Sequence, residues 1–300
     1  MNRREFWKTG GMLGAALAVS NSVRTAEDND APSAAFTSIA YNILACRGYP
    51  DTEENRARRK AAEEHMAERM AFELALYQPD VVTFSESPPE ATVARIAAAL
   101  KMNYAWFEGG WPGNDEYPGG FPGTIMTRYP ITAKANCPMP DGGARPDDLF
   151  TRHWCRATLE TEAGPLAVFS AHLHPSDDEV RAREITEILN VIGPDLKAGR
   201  PLLLQGDLNH GPDGPEYARW VQAGLTDTFS TREQRHRFTF SSAAPEGRID
   251  YIWAAGPLSK SITEARVLFE GEFRTNPDDP TSFALSDHVP VLARFGVPPQ

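Results

Sequence analysis

Along the chain, short apolar runs alternate with longer stretches whose hydrophobic residues recur at helical spacing. Residues 37–44 (Thr-Ser-Ile-Ala-Tyr-Asn-Ile-Leu) read as a strand. Ala62, Met66, Met70, Leu74 and Tyr77 share one helix face, which predicts one long helix over 53–77. Residues 80–85 (Asp-Val-Val-Thr-Phe-Ser) form a buried strand introduced by Pro79, and 90–100 an Ala-rich helix. Residues 106–121, dense in Gly, Pro and aromatics, read as a long loop. Residues 123–127 and 133–136 predict a pair of short strands around the turn at Tyr129-Pro130, and 138–148 is another irregular loop. A hairpin follows over 156–160 and 166–171, around Glu162-Ala163-Gly164. The helix over 177–192 opens with acidic residues, which suit a helix N-terminus. Further strands are predicted at 201–205, 248–253, 265–268 and 289–295, with a short helix at 215–223. Strands and helices are interspersed without repeats, so the class is α/β or α+β with at least two sheets.

The N-terminus has a different character. Asn2-Arg3-Arg4-Glu5-Phe6-Trp7-Lys8 resembles a twin-arginine export motif, and an uncharged Gly/Ala-rich run follows over 10–20. That run is too short and too rich in glycine to span a bilayer as a helix. The division expected is a signal and linker over 1–30, then one domain over 36–297 that resides in the periplasm or outside the cell.

Composition narrows the partners. The 300 residues are 41% apolar and carry a net charge of −11, so a sizeable core is expected and polyanions are repelled. Residues 1–26 carry +3 (Arg3, Arg4, Lys8 and Arg24 against Glu5), which leaves −14 on the remainder. Tight nonspecific binding to long nucleic acid is therefore not favoured. Cys46, Cys137 and Cys155 have no metal-ligand spacing. They read as small buried hydrophobes, with a Cys137–Cys155 bridge as the alternative.

The candidate chemistry stands where apolar strands end. Asn42 closes the first strand and Glu86 follows the second. His172 and His174 lie in Ser-Ala-His-Leu-His, and Asp207 and Asn209 in Gln-Gly-Asp-Leu-Asn. Asp250 sits in Arg-Ile-Asp-Tyr-Ile-Trp, and Asp287 and His288 in Leu-Ser-Asp-His-Val-Pro-Val. One such residue is ordinarily a turn former or a cap. Five strand ends offering carboxylate, amide or imidazole suggest a site on loops over a rigid sheet. Carboxylate and amide oxygens are hard ligands for magnesium or manganese. With a His-Asp pair to orient or activate water, they form a kit for phosphoryl chemistry. No Gly-x-x-x-x-Gly-Lys-Ser/Thr loop and no Gly-x-Ser-x-Gly elbow occurs.

These segments, in this order, resemble the endonuclease/exonuclease/phosphatase superfamily, the fold of pancreatic deoxyribonuclease. They are 40–44, 80–86, 123–131, 169–173, 204–209, 248–253 and 285–291. The resemblance implies an α+β, four-layer α/β/β/α sandwich of two packed mixed sheets, with the site at one edge. It implies Glu86 as principal metal ligand with Asn42 beside it, and Asp287 assisting. It implies that Asp207 activates the nucleophile or manages the leaving-group proton, and that Asn209 holds a phosphate oxygen. His288, oriented by Asp250, would contact the phosphate or serve as base. His172 would stabilise the transition state or protonate the leaving oxygen. Ser85 and Ala171 replace the Gln and Thr of many relatives, and His174 is extra: a support to the site residues, a substrate contact or, the favoured reading, a cap.

The substrate is less legible. The expectation is a monomeric, metal-dependent phosphodiesterase or phosphatase acting on small or lipid-linked phosphoesters. The alternatives are a secreted nuclease and, further off, a silent binding module. Aromatics over 106–121 suit a substrate lid, a membrane-touching hairpin or simple loop packing. Arg145, Arg152 and His153 could supply charge to a phosphate, or only solvate a loop. Arg56-Ala57-Arg58-Arg59-Lys60 reads as a solvated helix face.

Overall fold

The computed structural model describes residues 36–115, 117, 119–231 and 237–296. The export motif and linker expected over 1–30 lie outside the described residues. Two six-stranded sheets are present. In spatial order the first holds β11 (Ile262–Val267), β12 (Val291–Phe295), β1 (Phe36–Asn42), β2 (Val81–Ser85), β4 (Gly123–Thr127) and β3 (Asn103–Phe107). The second holds β5 (Ile131–Asn136), β6 (Trp154–Thr161), β7 (Gly164–His172), β8 (Leu202–Asp207), β10 (Asp250–Ala255) and β9 (Thr226–Asp227).

Each sheet has one parallel pair among its described strands, β1 with β2 and β7 with β8. A parallel pair needs a long crossover. The first runs through α1 (Glu53–Ala62) and α2 (Met66–Ala75), the second through α4 (Asp178–Lys197). Both crossovers bring the C-terminal ends of the paired strands side by side. Helix starts follow local rules: Thr52 and Asn55 form a reciprocal capping box on α1, and Asp177 accepts from the amides of Glu179 and Val180 on α4.

Both faces of the second sheet are covered. Leu203, Val168 and Ile252 face the core between the sheets. Leu202, Leu204, Phe169 and Trp253 face Ile185, Ile188 and Ile192 of α4 and Trp220 of α5 (Pro215–Gln222). This is the period-two signature of a doubly buried sheet. On the other side, Met66, Met70 and Leu74 of α2 and Val93 and Ile96 of α3 (Glu90–Leu100) join the core of the first sheet. Truncating one of these fully buried aliphatics to Ala costs about 2–5 kcal/mol. The layers are the α/β/β/α sandwich expected from the resemblance. Between the sheets a buried polar ladder runs from Ser38 Oγ to Gln205 (2.8 Å) and on from Gln205 to Thr83 Oγ1 (3.1 Å). It fixes how the sheets register on each other.

Three expected elements are corrected. The helix over 53–77 is broken by a 3₁₀ turn at Glu63–His65. Its first half buries only Asn55 and Ala62, so little packing holds the turn in α-helical register. Residues 123–127 and 133–136 are not paired: β4 belongs to the first sheet and β5 to the second. The Arg128 amide bonds to Asp80 O, and Pro130 O accepts from the Glu160 amide, so the turn passes the chain between sheets. The loop assigned to 106–121 begins inside a strand, because Trp106 and Phe107 belong to β3. No helix among the described residues is long and apolar enough to cross a membrane.

Candidate active site

Sheet register assembles the site at one edge. Asn42 pairs with Ser85, which puts Glu86 one residue beyond the ends of β1 and β2. His172 pairs with Asp207, and Asp207 with Asp250 across the antiparallel β8–β10 pair. Val291 at the start of β12 pairs with Ala40, so Asp287 and His288 enter from the preceding loop. Ser286 Oγ fixes that loop by donating to Asn42 O at 2.7 Å.

The deepest part is a sealed cluster. Asp250 Oδ2 lies 2.8 Å from His288 Nδ1, and His288 Nε2 lies 3.7 Å from Asp207 Oδ2. Asp207, Asp250 and His288 are all buried, with ligand-type atoms within 4.8 Å of one another. Burial alone would lower the His288 pKa, but the Asp250 and Asp207 carboxylates overcome it and hold the ring up to about 10. Burial, then the Asp250 charge, raises Asp207, and His288 partly offsets that rise. His172 lies 3.3 Å from Asp207 Oδ2 through Nε2. Burial, and then the Arg152 charge, hold it well below the usual histidine range, so the ring is neutral. His172 Nδ1 and Asp250 Oδ1 are buried without a hydrogen-bond partner among the described residues.

A second part faces outward. Asn42 Nδ2 donates to Asp207 Oδ2 (3.0 Å) and to Glu86 Oε1 (3.2 Å), bridging the two. Arg152 Nη1 lies 3.3 Å from Glu86 Oε1 and 3.0 Å from His172 Nε2. Its guanidinium lies over the Phe121 ring at 4.0 Å. Burial raises the Glu86 pKa; Asn42 and Arg152 oppose that rise, and the Asp287 charge adds to it. Glu86 and Asp287 therefore repel each other, and together they offer carboxylate oxygens. A hard divalent cation fits this donor set and would relieve that repulsion.

The model of the Endonuclease/Exonuclease/phosphatase family matches residues 39–288. The chain belongs to this family. Its members are phosphoester hydrolases that depend on a divalent metal. Over 193 residues the chain is 25% identical to protein YbhP of Escherichia coli (strain K12), itself uncharacterized; the match covers 63% of this chain and 69% of that protein. A family protein from Bacteroides thetaiotaomicron superposes with a TM-score of 0.67 at 17% identity, over 88% of this chain and 99% of that one. The mannosyl-6-phosphatase of Bacteroides thetaiotaomicron VPI-5482 gives 0.64 at 17% identity, over 86% and 98%. At these identities the two structures speak for the shared fold.

Within this family frame, all eight expected site residues lie at the one sheet edge. Asn209 is held there by two hydrogen bonds. Its Nδ2 donates to Leu173 O at 2.9 Å and its amide to Asp207 Oδ1 at 3.1 Å, so it ties the His172 and Asp207 loops together. His153 is no source of charge: it is buried against Ser170 Oγ (2.9 Å), and burial pushes its pKa down to about 3. Arg145 donates to Gly110 O at 3.2 Å, away from the cluster. His174 acts as a cap, accepting from the Asp177 amide at 3.0 Å. The three cysteines are free thiols.

Two contributors were not singled out as site residues from sequence. Arg152 is the charged neighbour of both His172 and Glu86. Phe240 lies 5.0 Å from the His288 ring and keeps 37% of its surface exposed. The aromatics over 106–121 largely pack on themselves: Trp111 and Tyr117 lie against Phe121 at 5.3 and 4.9 Å, and Phe121 meets His172 edge-on.

Proposed function

We propose that the chain is an exported, magnesium- or manganese-dependent hydrolase of small or lipid-linked phosphoesters. One observation carries the reading: His288, held by Asp250 at 2.8 Å, stands 3.7 Å from Asp207, and Asn42 bridges Asp207 to Glu86. An imidazole and a carboxylate thus stand side by side in one buried cluster next to Glu86.

The residues divide the work as follows. Glu86 and Asp287, with Asn42 beside them, would hold a divalent cation, and its chemistry there would be to neutralise phosphate charge. His288 is flanked by two carboxylates that favour its protonated form, and it contacts a phosphoryl oxygen or, once neutral, serves as base. Asp207 is raised toward neutrality, which suits it to take the proton of the attacking water or to pass one to the leaving oxygen. His172 is neutral and contributes through hydrogen bonding, steered by Arg152. Water attacks phosphorus as the leaving-group P–O bond breaks, with no covalent enzyme intermediate. Fixed charges aimed at the phosphoryl oxygens supply most of the acceleration.

The acidic charge supports small substrates over long nucleic acid. The mannosyl-6-phosphatase neighbour adds support for sugar phosphates on this fold. The test is turnover of p-nitrophenyl phosphate, bis-(p-nitrophenyl) phosphate and a single-stranded oligonucleotide. Each is run with magnesium, manganese or chelator. Metal-dependent turnover of the small esters is expected; oligonucleotide cleavage alone would install the nuclease reading. Export is tested by fusing residues 1–35 to a reporter. Cytoplasmic retention with Arg3 and Arg4 intact would refute it.

A further inference from the structure

Beside the acid pair lies a cleft of about 710 Å³, with Asp287 on its wall. The loop after β1, helix α1 and the start of α3 bound the rest. Arg47, Arg56, Arg59 and Lys60 all line it. Three of these sit at i, i+3 and i+4 on α1, which is one helix face. The basic run that reads as a solvated face is thus divided. Arg58 turns away to Asp279 at 2.7 Å, and its neighbours turn toward the cleft.

Among the described residues that line the cleft, the cations outnumber the acids. Asp51 is shared between Arg59 (3.0 Å) and Arg56 (3.6 Å). Arg95, also on the wall, is engaged with Glu68 at 2.7 Å. Glu63 and Asp287 are the other acids of the lining, and Asp287 faces the metal side. Lys60 has no carboxylate within 4.0 Å among the described residues. Arg59 is anchored: it keeps 19% of its side chain exposed, Nη1 donates to Gly48 O at 3.2 Å, and Nε is buried without a partner among the described residues. Arg47 lies 4.4 Å over the Tyr117 ring. In a chain of net charge −11, such a concentration of cations marks a place for an oxyanion.

Asp287 lines this cleft whereas Asp207 and His288 do not, so the cleft adjoins the acid pair beside the buried cluster. Resting on the hydrolase reading above, we propose that the cleft binds a second phosphate group of the same small substrate, so that the preferred substrates are bisphosphorylated. Fixed guanidinium groups suit a phosphate dianion. Because they line a cleft without Asp207 or His288, these groups would contribute to binding rather than to the chemical step.

The test uses the full chain with a series of α,ω-alkanediol bisphosphates and the matching alkyl monophosphates. At the best-fitting length, kcat/KM should favour the bisphosphate by about tenfold. That ratio should fall toward one in Arg56→Gln/Lys60→Gln, which alters exposed side chains and leaves the anchored Arg59 in place. Arg58→Gln, on the same helix outside the cleft, should keep the ratio. A ratio near one at every length, or one that survives the double substitution, would overturn the proposal. If neither ester class turns over, the hydrolase reading fails, and calorimetric titration of the same bisphosphates still decides the cleft. Binding lost in the double variant upholds the anion site; binding indifferent to it refutes the site. A single-stranded oligonucleotide that binds more tightly than every bisphosphate, through the same two residues, would replace the small substrate with a polyanion.

Discussion

The two sheets are wound alike and end unlike. In each, a central strand has one parallel and one antiparallel neighbour: β1 lies between β2 and β12, and β8 between β7 and β10. Their ends supply Asn42, Glu86 and the Asp287-His288 pair on one side, and Asp207, His172 and Asp250 on the other. The second group is sealed, with His172, Asp207 and Asp250 exposing 1%, 2% and 1% of their surface. In the first group Asn42 and His288 are buried too, at 1% and 4%, but Glu86 and Asp287 open outward: Glu86 keeps 13% of its side chain exposed and Asp287 lines a cleft. The same topology therefore yields two environments. Charges sealed from water perturb each other strongly and suit proton handling. Acids with access to solvent can exchange a cation.

The sharpest way to break this contrast is at His288. Its replacement by Ala should lower kcat/KM by about 10³-fold or more while leaving metal affinity nearly intact. Calorimetric metal titration beside the kinetics reads both at once. Glu86→Gln should do the converse first, weakening magnesium or manganese by more than the ~100-fold that loss of an outer partner costs. If Asp250→Asn loses the metal and Glu86→Gln keeps it, the cation sits in the sealed Asp207–Asp250–His288 group, and the division proposed here is reversed.

A third prediction concerns what braces the sealed side. Buried Glu184 accepts from the amides of Phe150 (2.8 Å) and His174 (2.9 Å), and so frames the loops carrying Arg152 and His172. Burial raises its pKa from 4.5 to about 7. The folded chain thus holds this proton more tightly than the unfolded chain. The resulting stability is complete below pH 4.5 and is lost as pH rises through 7. Between pH 4.5 and pH 8 the wild type should lose about 3 kcal/mol relative to Glu184→Gln, read by urea unfolding of both chains at each pH. An unchanging gap would mean that Glu184 titrates normally. The smallest effect is expected at the hinge between the two environments. Arg152→Gln should cost about tenfold in kcat/KM, with the acid limb of the pH profile displaced as His172 loses its charged neighbour. A profile that only scales would reduce Arg152 to a packing role on Phe121.

Much of this was legible without coordinates. Apolar runs closing on Asn42, His172 and Asp207, or followed directly by Glu86, marked strand ends, because a polar residue is costly inside a doubly buried strand and cheap beyond it. The same reasoning failed wherever partners came from elsewhere. Residues 123–127 and 133–136 looked paired because they are adjacent in sequence, yet hydrogen bonds at Arg128 and Glu160 send them to different sheets. His153 and Arg152 are sequence neighbours of similar polarity. One is buried against Ser170, and the other reaches Glu86, a residue 66 positions away.

The sequence by itself determined the fold class and the family, and it put forward eight polar residues that the fold gathers at one sheet edge, since these follow from local periodicity and from the order of short motifs. Only the tertiary structure decided their states and their surroundings. It set His288 between two carboxylates and His172 beside Arg152, tied the Asn209 side chain to Leu173 O, and turned three of the four basic residues of a helix face onto a cleft. The reason is physical: a pKa or a binding surface depends on burial and on distances of a few ångströms between segments far apart in the chain, and no local pattern encodes those distances.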